Sequence, residues 1–164
     1  MTGHDGTVAS VIHGTFTVSR DLSAPPERVF AAYAEPAERR RWFRMPGPAA
    51  SRHHELDFRV GGQEISRGAF APTGEHEERL EYRGTFHDIV PGERVVFSYD
   101  LTVDDVRRWA SLVTVELAPL DGGTRLTHTE QYVFLAHTGD GAHDTAHLQG
   151  GTRLQLNALA AALG

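Results

Sequence analysis

The chain has 164 residues, 40% of them hydrophobic and 23% charged, an ordinary composition for one soluble globular domain. Its net charge of −6 argues against nonspecific nucleic-acid binding, which works by neutralising phosphates. It has no cysteine, which excludes disulfides, thiolate catalysis and cysteine-based zinc sites, and no apolar run approaches the ~18 residues a membrane span requires.

A domain of this size buries roughly 70% of its unfolded-chain surface, so a sizeable core is available. Met1 to Ser10 has neither a basic start nor an apolar stretch. It reads as a flexible tail over residues 1–10, not as a secretory signal, with residues 11–164 as one domain and the cytoplasm as the expected location. All sixteen basic residues are arginine, which points to a GC-rich genome.

Ile12 to Asp21 alternates as a strand, with Phe16 and Val18 on one face and Thr15, Thr17 and Ser19 on the other. Ser23 stands where a helix N-cap belongs, and two prolines and Glu27 suit a first turn. Val29, Phe30 and Tyr33 recur at helical spacing and should face the core. Pro36 ends this helix and opens a second, which carries Arg39, Arg40, Arg41 and Arg44 and ends at Trp42-Phe43 before Met45-Pro-Gly-Pro48. The arginine cluster reads as a solvated helix face, with an anion or partner contact as the alternative.

Residues 55–60 and 63–71 read as strands separated by Gly61-Gly62. Arg79–Val90 and Glu93–Val103 meet at Pro91-Gly92. Ser111–Leu120 and Thr124–Phe134 meet at Asp121-Gly122, a strong hairpin signal. A last helix spans His143 to Leu163, with Leu148, Thr152, Leu156, Leu159 and Leu163 as its apolar stripe.

Turns fix registers, and registers fix faces. A two-residue loop at Asp121-Gly122 pairs Leu117 with Leu126, Val115 with His128 and Val113 with Glu130. A similar loop at Pro91-Gly92 pairs Phe86 with Phe97, Gly84 with Tyr99 and Tyr82 with Leu101. These residues form the predicted inner face. Arg79, Glu81, Arg83, Ser98, Asp100, Thr114 and Glu116 belong to the outer one.

Several stretches carry a family resemblance: Leu22-Ser-Ala-Pro-Pro-Glu-Arg-Val-Phe30, the helix ending at Trp42-Phe43, and Arg83-Gly-Thr-Phe-His-Asp-Ile-Val-Pro-Gly-Glu-Arg-Val-Val-Phe97. Gly123-Thr-Arg-Leu-Thr127 and Leu156-Asn-Ala-Leu-Ala-Ala-Ala-Leu163 complete it. The chain resembles the START-like (SRPBCC, Bet v 1-like) superfamily of START domains, Bet v 1 allergens and polyketide cyclases. Within it the match is to a bacterial branch related to the C-terminal domain of the activator of Hsp90 ATPase. The resemblance implies an α+β helix-grip fold. A curved antiparallel sheet would wrap around the long C-terminal α-helix, two short helices would follow the first strand, and a cavity would lie between sheet and helix. Related bacterial proteins often carry a Gly-Trp pair in the last helix. Here Gly151-Thr152 takes that place, implying a roomier or differently shaped cavity. Gly150 and Gly151 also each cost a helix about 1 kcal/mol relative to alanine, read as a tolerated irregularity, with close packing or a hinge as the alternative.

On the predicted registers, His128 and Glu130 face inward about 7 Å apart. A polar patch in an apolar pocket orients ligands, and a buried carboxylate must be paired or protonated. Glu130 could pair with an arginine near the cavity mouth, orient a ligand, or act as general acid/base. The expected ligand-binding set is Trp42, Tyr82, Phe86, Phe97, Tyr99, Leu101, Val113 and Val115, with His128, Glu130 and Tyr132 as polar anchors. Trp42 and Phe43 are either core packing or a pocket lip.

His143-Asp-Thr-Ala-His147 has the i, i+4 histidines of a helical zinc motif, with His137 nearby, but a shorter acid and no assured third ligand. It reads as a polar helix start with Asp144 favouring the dipole, and no metal is expected. No glycine-rich phosphate loop or nucleophile elbow is present.

The expectation is a protein that binds an apolar small molecule in an internal cavity, without a cofactor and without nucleic-acid or membrane partners. A cyclase, dehydratase or hydrolase acting in the same cavity is the alternative. A co-chaperone-like protein-interaction role is the weaker third, since that activator also uses an N-terminal domain. A homodimer is expected only from base rates.

Overall fold

The computed structural model describes residues 10–164. Apart from Ser10, the expected tail lies outside the described residues. Seven strands form one antiparallel sheet in the order β1-β7-β6-β5-β4-β3-β2. They are β1 (Ile12–Leu22), β2 (His53–Leu56), β3 (Gln63–Phe70), β4 (Glu78–Val90), β5 (Arg94–Val103), β6 (Val106–Leu120) and β7 (Gly123–Phe134). Two short helices, α1 (Pro26–Ala34) and α2 (Pro36–Trp42), and a 3-10 turn over Ala49–Ser51 carry the chain from β1 at one edge to β2 at the other. The long α3 (Ala142–Leu163) packs against α1, α2 and β1. The architecture is an α+β helix grip. No helix among the described residues is long and apolar enough to cross a membrane.

The registers follow the turns. Asp121-Gly122 is a two-residue loop with Gly122 at φ +76°, and Leu117, Val115 and Val113 pair with Leu126, His128 and Glu130. The β4–β5 hairpin reaches the expected register by a different route. Its loop has three residues, since Val90 pairs with Arg94, but an irregularity at His87 restores the pairing of Phe86 with Phe97, Gly84 with Tyr99 and Tyr82 with Leu101. The added loop residue and the bulged residue cancel, so the inner face is unchanged.

Three local expectations are corrected. Ser23 does not cap α1: the N-cap is Pro25, whose carbonyl accepts from Arg28 and Val29, and Ser23 lies too early to reach the first turn. The strand expected over 55–60 is β2 at His53–Leu56. Beyond it the chain bends, with Asp57 N–H bonded to Gln63 O and the 61–62 turn bonded to Phe86 of β4. Strand β6 begins at Val106, not Ser111, because Asp104 and Asp105 form a tight turn at φ 50° and 65°. Asp and Asn are the non-glycine residues best able to take that left-handed backbone.

The core lies between the sheet's inner face and the helices. Val29, Val113, Leu126 and Leu159 are completely buried. The outer face is polar, as expected, with Arg67 and Arg83 both paired to Glu81. Helix α3 buries Leu148, Thr152, Leu156 and Leu159.

Candidate functional site

Between the sheet and α3 lies a cavity of about 230 Å³. Strand alternation supplies most of its wall: Leu80 and Tyr82 from β4, Phe97, Tyr99 and Leu101 from β5, Trp109 and Val113 from β6, and His128 and Glu130 from β7. Helix α2 and the turn after it add Arg39, Trp42, Phe43, Met45 and Pro46. Leu148, Thr152 and Leu156 close the cavity from α3, with His147, Gly151 and Gln155 beside them. Inner-face Gly84 has no side chain, and the Tyr82 and Tyr99 rings stack 4.7 Å apart there.

One wall is polar. Trp109 Nε1 donates to Tyr99 Oη at 3.1 Å, and Tyr99 Oη donates to Glu130 Oε2 at 2.6 Å. His128 Nε2 lies 2.9 Å from Glu130 Oε1. Burial, and then the neighbouring Glu130, push the Tyr99 phenol well above its ordinary pKa, so it remains a donor. The expected arginine partner for Glu130 is absent: its partners are the phenol and the imidazole. Its carboxylate has no permanent cation beside it among the described residues.

The other buried carboxylate is Glu64. Arg39 Nε and Nη2 grip it at 2.9 and 2.8 Å, and His54 Nε2 approaches Oε2 at 2.8 Å. Burial alone would raise the Glu64 pKa, but the Arg39 charge and hydrogen bonds outweigh it and hold the carboxyl below its ordinary value. The Arg39 guanidinium lies 3.9 Å from the Phe43 ring centroid and 4.5 Å from that of Trp42. Arg39 is therefore not part of a solvated face. It sits at i with Trp42 and Phe43 at i+3 and i+4, a spacing that puts all three on one side of α2.

Of the expected ligand-binding residues, the structure brings Trp42, Tyr82, Phe97, Tyr99, Leu101, Val113, His128 and Glu130 to the cavity. It places Phe86, Val115 and Tyr132 elsewhere. Phe86 is buried against Phe58 and Phe97, and Val115 lies in the packed core. Tyr132 covers Gly14 across the β1–β7 pair and meets Phe16 and Phe134. All three share the inner face, but the cavity occupies only part of it.

Trp42 serves in both of its anticipated ways: it is 5% exposed, its Nε1 donates to Ala32 O at 2.9 Å, and its ring borders the cavity. Phe43 and Thr152, singled out beside Trp42 and on the α3 stripe, also reach the cavity, whereas sequence reasoning missed Arg39, Met45 and Trp109 there. A Cβ at Gly150 or Gly151 would meet nothing within 4 Å, so close packing does not account for either glycine. His143 and His147 stack with ring centroids 6.4 Å apart, while His137 Nε2 turns to the Ser10 carbonyl. Among the described residues no group of three potential ligands could hold a metal.

The fold has relatives among solved structures. The Mll3558 protein from Rhizobium loti is 47% identical, with a TM-score of 0.76, over 93% of this chain and 99% of its own. A protein from Rhizobium leguminosarum is 37% identical, with a TM-score of 0.80, over 94% and 96%. DynU16, from the dynemicin biosynthetic locus, shares the fold at 19% identity and a TM-score of 0.63, over 91% of this chain and 46% of its own. No match was found among curated proteins. The model of the family described as activator of Hsp90 ATPase homolog 1-like protein matches residues 23–164, from the start of the α1 segment to the end of α3. With that stretch containing both short helices, the cavity wall and the closing helix, the chain belongs to the activator of Hsp90 ATPase homolog 1-like protein family.

Proposed function

We propose that this protein binds a neutral, largely apolar small molecule in the cavity between sheet and α3. The observation that carries the reading is the unequal wall: apolar and aromatic side chains on most sides, and on one side a hydrogen-bonded chain ending on a carboxylate without a permanent cation. Apolar surface would supply affinity and the polar chain orientation. The Arg39 charge is already cancelled by Glu64, so among the described residues the cavity offers no free arginine to a carboxylate ligand. A fatty acid would therefore meet Glu130 uncompensated, whereas a neutral hydroxyl or carbonyl compound would not. At about 230 Å³ the cavity suits a ligand smaller than drug-sized. The reading is of a cytoplasmic protein needing no cofactor.

Native mass spectrometry of the purified protein tests it. The expected result is a bound mass that denaturation releases as an apolar compound. Binding should be lost in Gly151→Trp, which places an indole on a cavity-lining position whose added Cβ meets nothing within 4 Å, with circular dichroism to check that the variant is folded. Undiminished binding in folded Gly151→Trp would place the ligand elsewhere.

A second reading is favoured by one distance, the 2.9 Å between His128 and Glu130. A carboxylate that orients an imidazole equips it for general acid/base work, so a cyclase, dehydratase or hydrolase reaction could use this wall. Normal turnover of a released ligand by Glu130→Gln would remove that carboxylate from any such mechanism.

A further inference from the structure

On the other side of Phe43 and Met45 lies a second, more open pocket of about 290 Å³, bounded by α2, the Arg44–Arg52 connection and β2. Phe43 and Met45 border both hollows and form a partition between them. The outer pocket is lined by Arg40, Arg44 and Arg52, with His53, His54 and Ser66. Its charge is unusual for a chain of net charge −6.

The neighbouring arginines have carboxylate partners within the fold: Arg28 and Arg41 share Glu38 at 3.2 Å each, and Arg39 has Glu64. The pocket arginines are not. Arg40 Nε donates to His54 Nδ1 at 3.0 Å, and its Nη2 to His54 O at 3.3 Å, so it is fixed in place by neutral acceptors. Neither Arg44 nor Arg52 has a carboxylate within salt-bridge distance among the described residues. The nearby acids are engaged, Glu64 by Arg39 and His54, and Glu55 by His53 at 3.0 Å. Three arginines line one concavity without a carboxylate partner among the described residues, and a multiply charged oxyanion would supply the missing counter-charge. Their planar forks match the oxygens of a phosphate.

We propose that the pocket formed by Arg40, Arg44 and Arg52 is a binding site for a phosphate group, with Phe43 and Met45 as an apolar floor for whatever carries it. The site is distinct from the internal cavity and does not depend on what the cavity binds.

Isothermal titration at fixed ionic strength, with sodium chloride as the balancing salt, tests it with phenyl phosphate and inorganic phosphate. Sedimentation with phosphatidylcholine vesicles containing phosphatidic acid, against phosphatidylcholine alone, tests a lipid source of the same group. Wild type should bind phenyl phosphate saturably, and the Arg44→Gln/Arg52→Gln double variant should bind at least about tenfold more weakly. Arg153→Gln, which removes an exposed arginine from α3, should bind as wild type does. Circular dichroism on the same samples checks that each variant is folded. Saturation by the soluble phosphates assigns the site to a phosphorylated small molecule. Preferential sedimentation with phosphatidic acid, lost in the double variant, assigns it to a lipid headgroup. No saturable phosphate binding from either source, or equal binding by the folded double variant, would overturn the proposal.

Discussion

Glu64 and Glu130 are both 1% exposed, both on the inner face of the same sheet and both hydrogen-bonded to a histidine. They differ in their remaining partner. Glu64 is gripped by a buried guanidinium, whereas Glu130 is held by a phenol. A full countercharge makes the first carboxylate a permanent part of the fold, joining α2 to β3 across the core. The second is held by a phenol and an imidazole, with no arginine beside it among the described residues, at the wall of a cavity. The partner's charge, not the degree of burial, separates a structural carboxylate from one available to a ligand.

The sharpest way to break this contrast is to remove each charge alone. Glu64→Gln leaves Arg39 charged and buried without a counter-ion and should destabilise the fold by about 3–5 kcal/mol, read from urea denaturation. The double replacement Arg39→Met/Glu64→Leu should recover most of that loss, because exchanging a whole buried pair for apolar groups is close to neutral. If the double variant is as unstable as Glu64→Gln, the attribution to an uncompensated charge fails.

Glu130→Gln should destabilise less, by about 1–3 kcal/mol, since it strands hydrogen-bond donors but no cation. Its main expected effect is on ligand orientation. A loss equal to that of Glu64→Gln would erase the distinction between the two sites.

Acid titration sharpens the comparison further. The Glu64 carboxyl is held below its ordinary pKa in the folded state, so the unfolded chain binds its proton first as pH falls. The stability it contributes is complete above the unfolded value of about 4.3 and is lost as pH drops through the lower folded value. Wild type should therefore lose stability steeply below about pH 4.3, and Glu64→Gln should show a shallower acid limb. An unchanged slope would mean that Glu64 is not the group lost on acidification.

The smallest expected effect lies away from both carboxylates. Gly150→Ala should stabilise α3 by up to about 1 kcal/mol, as a higher melting temperature, because the added Cβ meets nothing within 4 Å. Destabilisation would show that the glycine is needed for conformational freedom.

How much of this was legible in the sequence differs between the two sites. His128 and Glu130 could be placed because Asp121-Gly122 fixes a register, and a fixed register assigns every second residue to a face. Tyr99 could be placed on the inner face from the β4–β5 hairpin, though not as the partner of Glu130, and there the correct pairing depends on a loop residue and the His87 irregularity offsetting one another. Glu64 was not legible. Strand β3 buries Glu64, Ser66 and Gly68 while leaving Ile65 only half-buried, the reverse of what polarity suggests. The inversion makes sense only once Arg39 stands opposite.

The sequence by itself determined the order of elements, the inner faces of β4 to β7 and the polar patch at His128 and Glu130. These rest on local rules: period-two alternation, proline and glycine punctuation, and tight-turn geometry. Only the tertiary structure decided that Arg39 turns inward to Glu64, that the cavity stops short of Phe86, Val115 and Tyr132, and that Arg40, Arg44 and Arg52 surround a common hollow. Each joins residues from elements far apart in the chain. Which charge neutralises which depends on the distances that packing creates, and those distances have no counterpart in local sequence pattern.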